Sequence, residues 1–249
     1  MAERQGPKVY SIAAHRGFAD ALVAGLVPRY ANDEFGLARL TLLVPSSRAR
    51  RTISEAFIRH AGEQGTPGLL MPRMAVVGDL DLDETLGPLL DPLGAADIPR
   101  AIEPQRRLFA LARLIADTMG DEAPGGATLL RLARETGATM DRLLVEGVGP
   151  EELVGESVLD LFGSLSDHWQ RSLHLFATVQ AKWLEQLQQW DALDAAARRN
   201  RLFDWAAARW RAAPPETPIV AAGVTSAAPS LARLLRVVAD CDQGAVILP

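Results

Sequence analysis

Short apolar runs, each bounded by a turn or a proline, limit most strongly what this chain can fold into. Residues 40–44 read LTLLV and stop at Pro45. Residues 219–222 read IVAA and stop at Gly223, and residues 245–248 read AVIL after a turn at Cys241–Gly244. A strand with one face in water alternates apolar and polar residues. These runs do not, so each suits a strand buried on both faces, as in a parallel sheet. The chain therefore reads as an α/β protein.

The first section, about 8 to 78, alternates strand and helix patterns. Val9, Tyr10 and Ile12 are strand-like, Gly17 sits in a loop, and Leu22, Val23, Leu26 and Val27 recur at helical spacing. A turn at Asn32–Gly36 leads to the strand at 40–44. Ser46 and Ser47 can cap a helix from Arg48 to about His60. A Gly/Pro loop at Glu63–Gly68 then precedes an extended stretch, Leu69–Val77. This rhythm implies parallel strands joined by crossover helices.

The middle, about 79 to 213, is helical after an acidic, Pro-rich connection at Asp79–Pro99. Pro104 starts a helix to about Met119. Thr128–Val145 reads as one or two helices around Gly137, and Pro150 with Glu151 and Glu152 starts another. Within Phe162–Trp190, the residues Trp169, Leu173, Phe176, Gln180, Trp183, Leu187 and Trp190 are spaced alternately by four and three, an apolar seam with one polar position. The seam reads as packing against the next helix, Ala195–Trp210; a base-stacking platform is the alternative. Pro214, Pro215 and Pro218 end the helical region, a helix at Pro229–Ala239 follows the IVAA strand, and the chain stops on a buried strand. The expected domains are an α/β core from 1–78 and 214–249 around a helical insertion at 79–213, within a fragment of a longer chain.

Net charge is −5, which excludes a small, globally basic nucleic-acid module but not a local basic groove. The one cysteine, Cys241, excludes an intrachain disulfide and a cysteine-rich zinc site. No apolar run reaches the roughly 18 residues of a membrane span, and the N-terminus carries no apolar signal core. The expectation is a cytoplasmic protein.

A strand–loop–helix opening is where a phosphate loop would sit, with backbone N–H groups around phosphate, a Lys on the outer phosphates and a Ser/Thr on Mg²⁺. Aligned so, Ala13 takes the first Gly position, Phe18 the second, Ala19 the Lys and Asp20 the Ser/Thr. The only lysines, Lys8 and Lys182, lie elsewhere, and Asp20 would repel phosphate. A nucleotide hydrolase also needs an acid at the end of a second strand. The candidate strand ends at Ala222 and Gly223, and no Asp or Glu occurs between Glu216 and Asp240. Both halves of the metal–phosphate site read as degenerate.

Other features carry less chemistry. Ser46, Ser47, Arg48 and Arg51 cluster at a helix start, where backbone N–H groups favour anions; a DNA phosphate and a solvated arginine face are both open readings. Thr225 and Ser226 offer hydroxyls after a strand's C-terminal end, as a ligand site or as a capped turn. The acidic run at Gly78–Thr85 lacks the glycine and distal Glu of a Ca²⁺ loop and reads as solvated. No metal spacing among the histidines, nucleophile elbow or catalytic triad stands out.

Taken in order, VYSIAAHRGFADAL at 9–22, LTLLVPSSRARRTISEAF at 40–57, LLMPRMAVVGDLDLDE at 69–84, PIVAAGVTSAAPSLARLL from 218 and QGAVILP to 249 resemble the N-terminal region of the alphaproteobacterial AddB family, subunits of the AddAB helicase–nuclease that processes double-strand breaks. The resemblance implies a RecA-like, superfamily 1 helicase core of the P-loop NTPase type with a large helical insertion. It implies a motor partner, AddA, and contact with single-stranded DNA. By position it places Ser46, Ser47, Arg48 and Arg51 in the DNA-contacting stretch and Gly223, Thr225 and Ser226 where the second nucleotide strand ends. The family's nuclease lies toward its C-terminus, outside this sequence. The expected function is a non-catalytic scaffold in DNA double-strand break repair, with no cofactor. The rivals are a divergent ATP-binding enzyme using the Gly17 loop and a helical protein-interaction module.

Overall fold

A computed structural model describes residues 6–31, 35–65, 68–78, 86–94, 96–149, 152, 167–226 and 228–249, with side chains from 170 onward in the third-last helix region. The acidic run at 79–85, most of the turn at 32–36 and the expected helix start at 150–151 lie outside the described residues, as does the side chain of Trp169. Two compact units emerge: residues 1–97 with 201–249, and residues 98–200. The expected bounds at 78 and 214 thus fall inside the sheet-bearing unit.

The first unit holds a five-stranded parallel sheet in the order β1-β5-β4-β2-β3. Its strands are β1 (Val9–Ser11), β2 (Thr41–Val44), β3 (Arg73–Val76), β4 (Ile219–Ala222) and β5 (Gly244–Leu248). Every residue of β2 and β4 is buried. Their register sets Leu42 beside Val220 and Leu43 beside Ala221. The α/β expectation and all three apolar runs are therefore realised as parallel strands.

Helices α1 (Phe18–Tyr30) and α2 (Ser47–Glu63) link β1 to β2 and β2 to β3. Both lie on one face, where Leu22, Val23, Leu26, Ile53 and Phe57 pack on Leu42, Val44, Val76 and Val220. Each fully buried leucine there contributes about 2 kcal/mol by leaving water. A short helix, α3 (Leu86–Leu90), follows β3. Alternate strand residues, such as Leu43 and Ala221, point to the other face. There the crossover from β4 to β5, α8 (Pro229–Asp240), packs on both of its strands. The chain moves along the sheet one way through β1–β3 and the other way through β4–β5, so right-handed crossovers require opposite faces. Arg233 of α8 forks onto the Asp204 carboxylate at 2.7 and 3.0 Å, fixing α8 to the later part of α7 (Ala195–Ala212).

The sheet's two edges differ. At β3, Met74, Ala75 and Val76 are buried. At β1, Val9 and Tyr10, which point to opposite faces, are 50% and 48% exposed. β1 pairs only with β5, and Lys8 just before it donates from Nζ to the carbonyl of Asp242 at 2.5 Å. Gly244 opens β5 where the chain turns tightly out of α8; a Cβ there would overlap the Val238 carbonyl and crowd Cys241.

The second unit is helical. It contains α4 (Pro104–Met119), α5 (Gly126–Glu146), α6 (Asp167–Gln189) and the beginning of α7. Glu103 caps α4, accepting the Arg106 backbone N–H at 2.9 Å, with Pro104 in the first turn. Gly137 does not split α5. It faces α4, where a Cβ would meet the Leu111 side chain at 3.2 Å, so the glycine serves close helix packing. The seam helix α6 packs chiefly against α4 rather than finding its main partner in α7. Trp183 and Leu187 of the seam join Leu111, Ile115 and Met140 in one core. Trp183 is buried, and Trp190 meets it edge-on at 6.0 Å with its own face under the Arg106 guanidinium at 4.0 Å. These two rings are packing residues, not a stacking platform.

A buried polar network crosses this unit. Arg107 reaches Asp141 and Asp194 at 2.7 Å each and donates to the Gly137 carbonyl at 3.3 Å. The Trp183 indole N–H donates to the Asp194 carboxylate at 3.0 Å. Lys182 Nζ donates to the Thr118 hydroxyl at 3.0 Å. Burial pushes the Asp194 carboxyl above its ordinary range, against the opposing pull of Arg107 and the Trp183 hydrogen bond.

Two outcomes follow. Gly244→Ala forces the turn into β5 apart and lowers stability by about 1–3 kcal/mol, measured as a shift of the urea midpoint with unchanged slope. For Asp194, the folded state holds the proton more tightly than the unfolded chain. Its contribution is therefore greatest below the ordinary carboxylate pKa of about 3.9 and declines as pH rises from there through the raised folded value. Asp194→Asn removes that decline, so tryptophan-monitored unfolding across this range shows the variant gaining on the wild type as pH rises; the opposite slope counts against the assignment.

Candidate functional site

Ligands of open α/β sheets bind beyond the carboxyl ends of the strands, where neighbouring connections leave in opposite directions. Here the neighbours are β2 and β4. The chain leaves β2 toward β3, and leaves β4 toward β5 on the other side. The crevice between them is bounded by Pro45–Arg48 after β2 and Gly223–Ser226 after β4. Five sequence-selected residues, Ser46, Ser47, Arg48, Thr225 and Ser226, thus follow two paired strands at the same edge of the sheet, although two loops contribute them.

The local chemistry of the two loops differs. Ser46 is the cap of α2: its backbone is extended and its Oγ accepts the Ala49 N–H at 3.2 Å, one of the donors a helix start leaves unpaired. Ser47 and Arg48 are exposed beside it. Arg51 lies one turn further along, 83% exposed and paired with Glu55 at 3.1 Å. On the other side Thr225 and Ser226 are exposed. Ser226 Oγ accepts the Ala228 N–H at 3.3 Å, so its hydroxyl is engaged in the turn that starts α8. Thr225 is the freer hydroxyl of the pair.

The residues expected to form a degenerate nucleotide site lie before and within the first turn of α1 and at the end of β4. Gly17 stands before α1 with φ −62° and ψ 110°, an extended conformation. It does not continue the concave winding of successive N–H groups that holds phosphate. Ala13 is exposed in the loop and accepts the Arg16 N–H at 2.9 Å, while Ala19 packs against the core of the sheet. Asp20 sits in the first turn of α1, and its carboxylate is held by Arg59 of α2 at 2.6 Å. That hydrogen bond raises the Arg59 pKa above its ordinary value. Ala222 is fully buried in the core of the sheet, whereas Gly223 beyond it has φ +70°.

Phe18 joins the two halves. Its ring lies so close to Gly223 that a Cβ there would stand 3.2 and 3.4 Å from ring carbons. The aromatic side chain that occupies a glycine position of the phosphate-loop alignment therefore fills the space between the start of α1 and the end of β4. The misfit of Phe18 is visible in the sequence, whereas its contact with Gly223 and the part played by Arg59 are not. Nothing in the spacing of residues 20 and 59 signals that pair.

Among the described residues no group of three or more His, Cys, Asp or Glu is placed to hold a metal ion. No described helix is long and apolar enough to cross a membrane. No protein-family model matches this chain, and no curated protein matches it.

The Phe18–Gly223 contact is testable by a double-mutant cycle. Gly223→Ala places a Cβ in a left-handed conformation and costs about 1–2 kcal/mol of stability, with a further loss from the ring it meets. In a Phe18→Ala background that further loss disappears, leaving a coupling of about 0.5 kcal/mol or more between the two positions. Strict additivity would place the ring elsewhere.

Proposed function

We propose that this chain is a non-catalytic, RecA-like scaffold of the helicase type, which contacts single-stranded DNA at the carboxyl edge of its sheet and docks onto a separate motor subunit. The observation that carries the reading is the division of that edge. Its half beside β1 is filled by Phe18 on Gly223 and bordered by the Asp20–Arg59 pair. Its half between β2 and β4 presents Ser47, Arg48 and Thr225 to solvent, with Arg51 one turn on. A charged backbone can be held by such hydroxyls, arginines and helix-start N–H groups without any nucleotide chemistry. The parallel order of the sheet is compatible with a RecA-like core. The resemblance to the AddB family supplies the rest of the proposal: a cytoplasmic role in double-strand break repair, an AddA-type motor partner, and no cofactor on this part of the protein.

Two measurements test it. Titration calorimetry with ATP, with and without Mg²⁺, yields no binding heat; clear binding abolished by a Gly17 substitution would establish the divergent-ATPase reading instead. A fluorescent oligothymidine of about 20 nucleotides binds the chain, and Arg48→Ala with Arg51→Ala weakens it. If both arginines meet phosphates, the salt dependence of log K becomes shallower by about 1.4, at about 0.7 per phosphate. Unchanged affinity and slope would remove DNA from this edge.

A further inference from the structure

In the helical unit, among the described residues, Phe109 is the one large apolar side chain left mainly in water, 61% exposed. It is not isolated. Arg106, Phe109, Ala110, Arg113 and Leu114 recur on α4 at the spacing that makes one stripe along a helix. With Asp117 further along α4, and with Gln186 and Trp190 from α6 and its end, this stripe lines a groove of about 560 Å³. We infer that this groove is a docking site for an acidic amphipathic helix from a protein partner.

Charge and shape both select that occupant. The Arg106 guanidinium lies over the Trp190 ring, 4.0 Å from its centroid. It has no carboxylate partner among the described residues, so its forked donors are free for one. Arg113 has only a long contact to Asp117, at 3.7 Å, and both side chains are mostly in solvent. The two arginines are seven residues apart, about 10 Å along the helix axis. Two acids seven residues apart on a second helix running alongside have the same separation. Between the arginines the surface is apolar, with Phe109 standing proud of Ala110 and Leu114, and this takes the apolar residues that lie between such acids. An exposed aromatic flanked by arginines is also the composition of interface hot spots.

Single-stranded nucleic acid fits less well. It uses a succession of free aromatic faces, and here the face of Trp190 is already covered by Arg106, leaving Phe109 alone. The inference rests on the helical unit and does not depend on the DNA role assigned to the sheet edge. Substitutions on α4 leave Arg48, Arg51 and Thr225 intact, so either reading can fail without the other.

The test uses the full chain and a fluorescein-labelled synthetic helix of about 14 residues, rich in Ala, with Glu at positions i and i+7 and Leu at i+3 and i+4. Anisotropy shows saturable binding, weakened roughly tenfold or more by Phe109→Ser and by Arg106→Glu, with far-UV circular dichroism unchanged because both side chains are on the surface. A peptide with Lys in place of Glu binds at least roughly tenfold more weakly. Absence of saturable binding, or equal binding by the variants or by the Lys peptide, overturns the proposal. So does oligothymidine binding that Phe109→Ser abolishes, which would assign the groove to nucleic acid. A concentration-dependent dimer abolished by Phe109→Ser, seen by sedimentation, would assign it to a second copy of the chain and equally overturn it.

Discussion

A parallel strand buried on both faces can join its neighbour only through a long crossover that returns over the sheet, and β2 and β4 are such strands. From that constraint follow α1 and α2 on one face, α8 on the other, and the point between β2 and β4 where the outgoing connections part. The crevice at the carboxyl edge is a by-product of how the apolar runs had to be wired. Ser46, Ser47 and Thr225 share one edge of the sheet because Leu42 and Leu43 pair with Val220 and Ala221, not because of any attraction among the polar residues.

The helical unit is organised by a different force. Its seam is apolar, but Arg107, Asp141 and Asp194 bring charge into the interior between α4, α5 and the start of α7. A buried ion pair gains little over an apolar replacement of the same size, yet losing one partner strands the other. The three residues are thus best understood as fixing which helix faces meet: Arg107 can satisfy both acids only when α4 and α5 pack in this register. The Trp183 indole adds α6 to the same arrangement through Asp194.

How much of this could be read beforehand varied with the physics involved. The strand Ile219–Ala222 and the helix starting at Pro104 were legible to the residue, because an apolar run closed by proline and glycine, or a proline at a helix start, acts locally. The heptad seam identified the buried face of α6 but not its partner, since periodicity says which side is apolar and nothing about what lies opposite. The Arg107 network was illegible, because each member alone looks like a residue on a solvated helix face. At the candidate site, the departure of Phe18, Ala19 and Asp20 from a phosphate loop was visible in sequence. That Phe18 rests on Gly223 was not, because the contact joins positions far apart in the chain and depends on the strand order.

The scarcity of lysine has an experimental consequence of its own. Each compact unit contains one, Lys8 before the sheet's exposed edge strand and Lys182 on α6. Each ammonium is tied down, Lys8 to backbone carbonyls at the α8–β5 turn and Lys182 to the Thr118 hydroxyl. An amine-reactive label therefore has two internal addresses, and its rate at each reports the loosening of one unit. The chain carries its own pair of reporters, one for the fraying of β1 from β5 and one for the separation of α6 from α4.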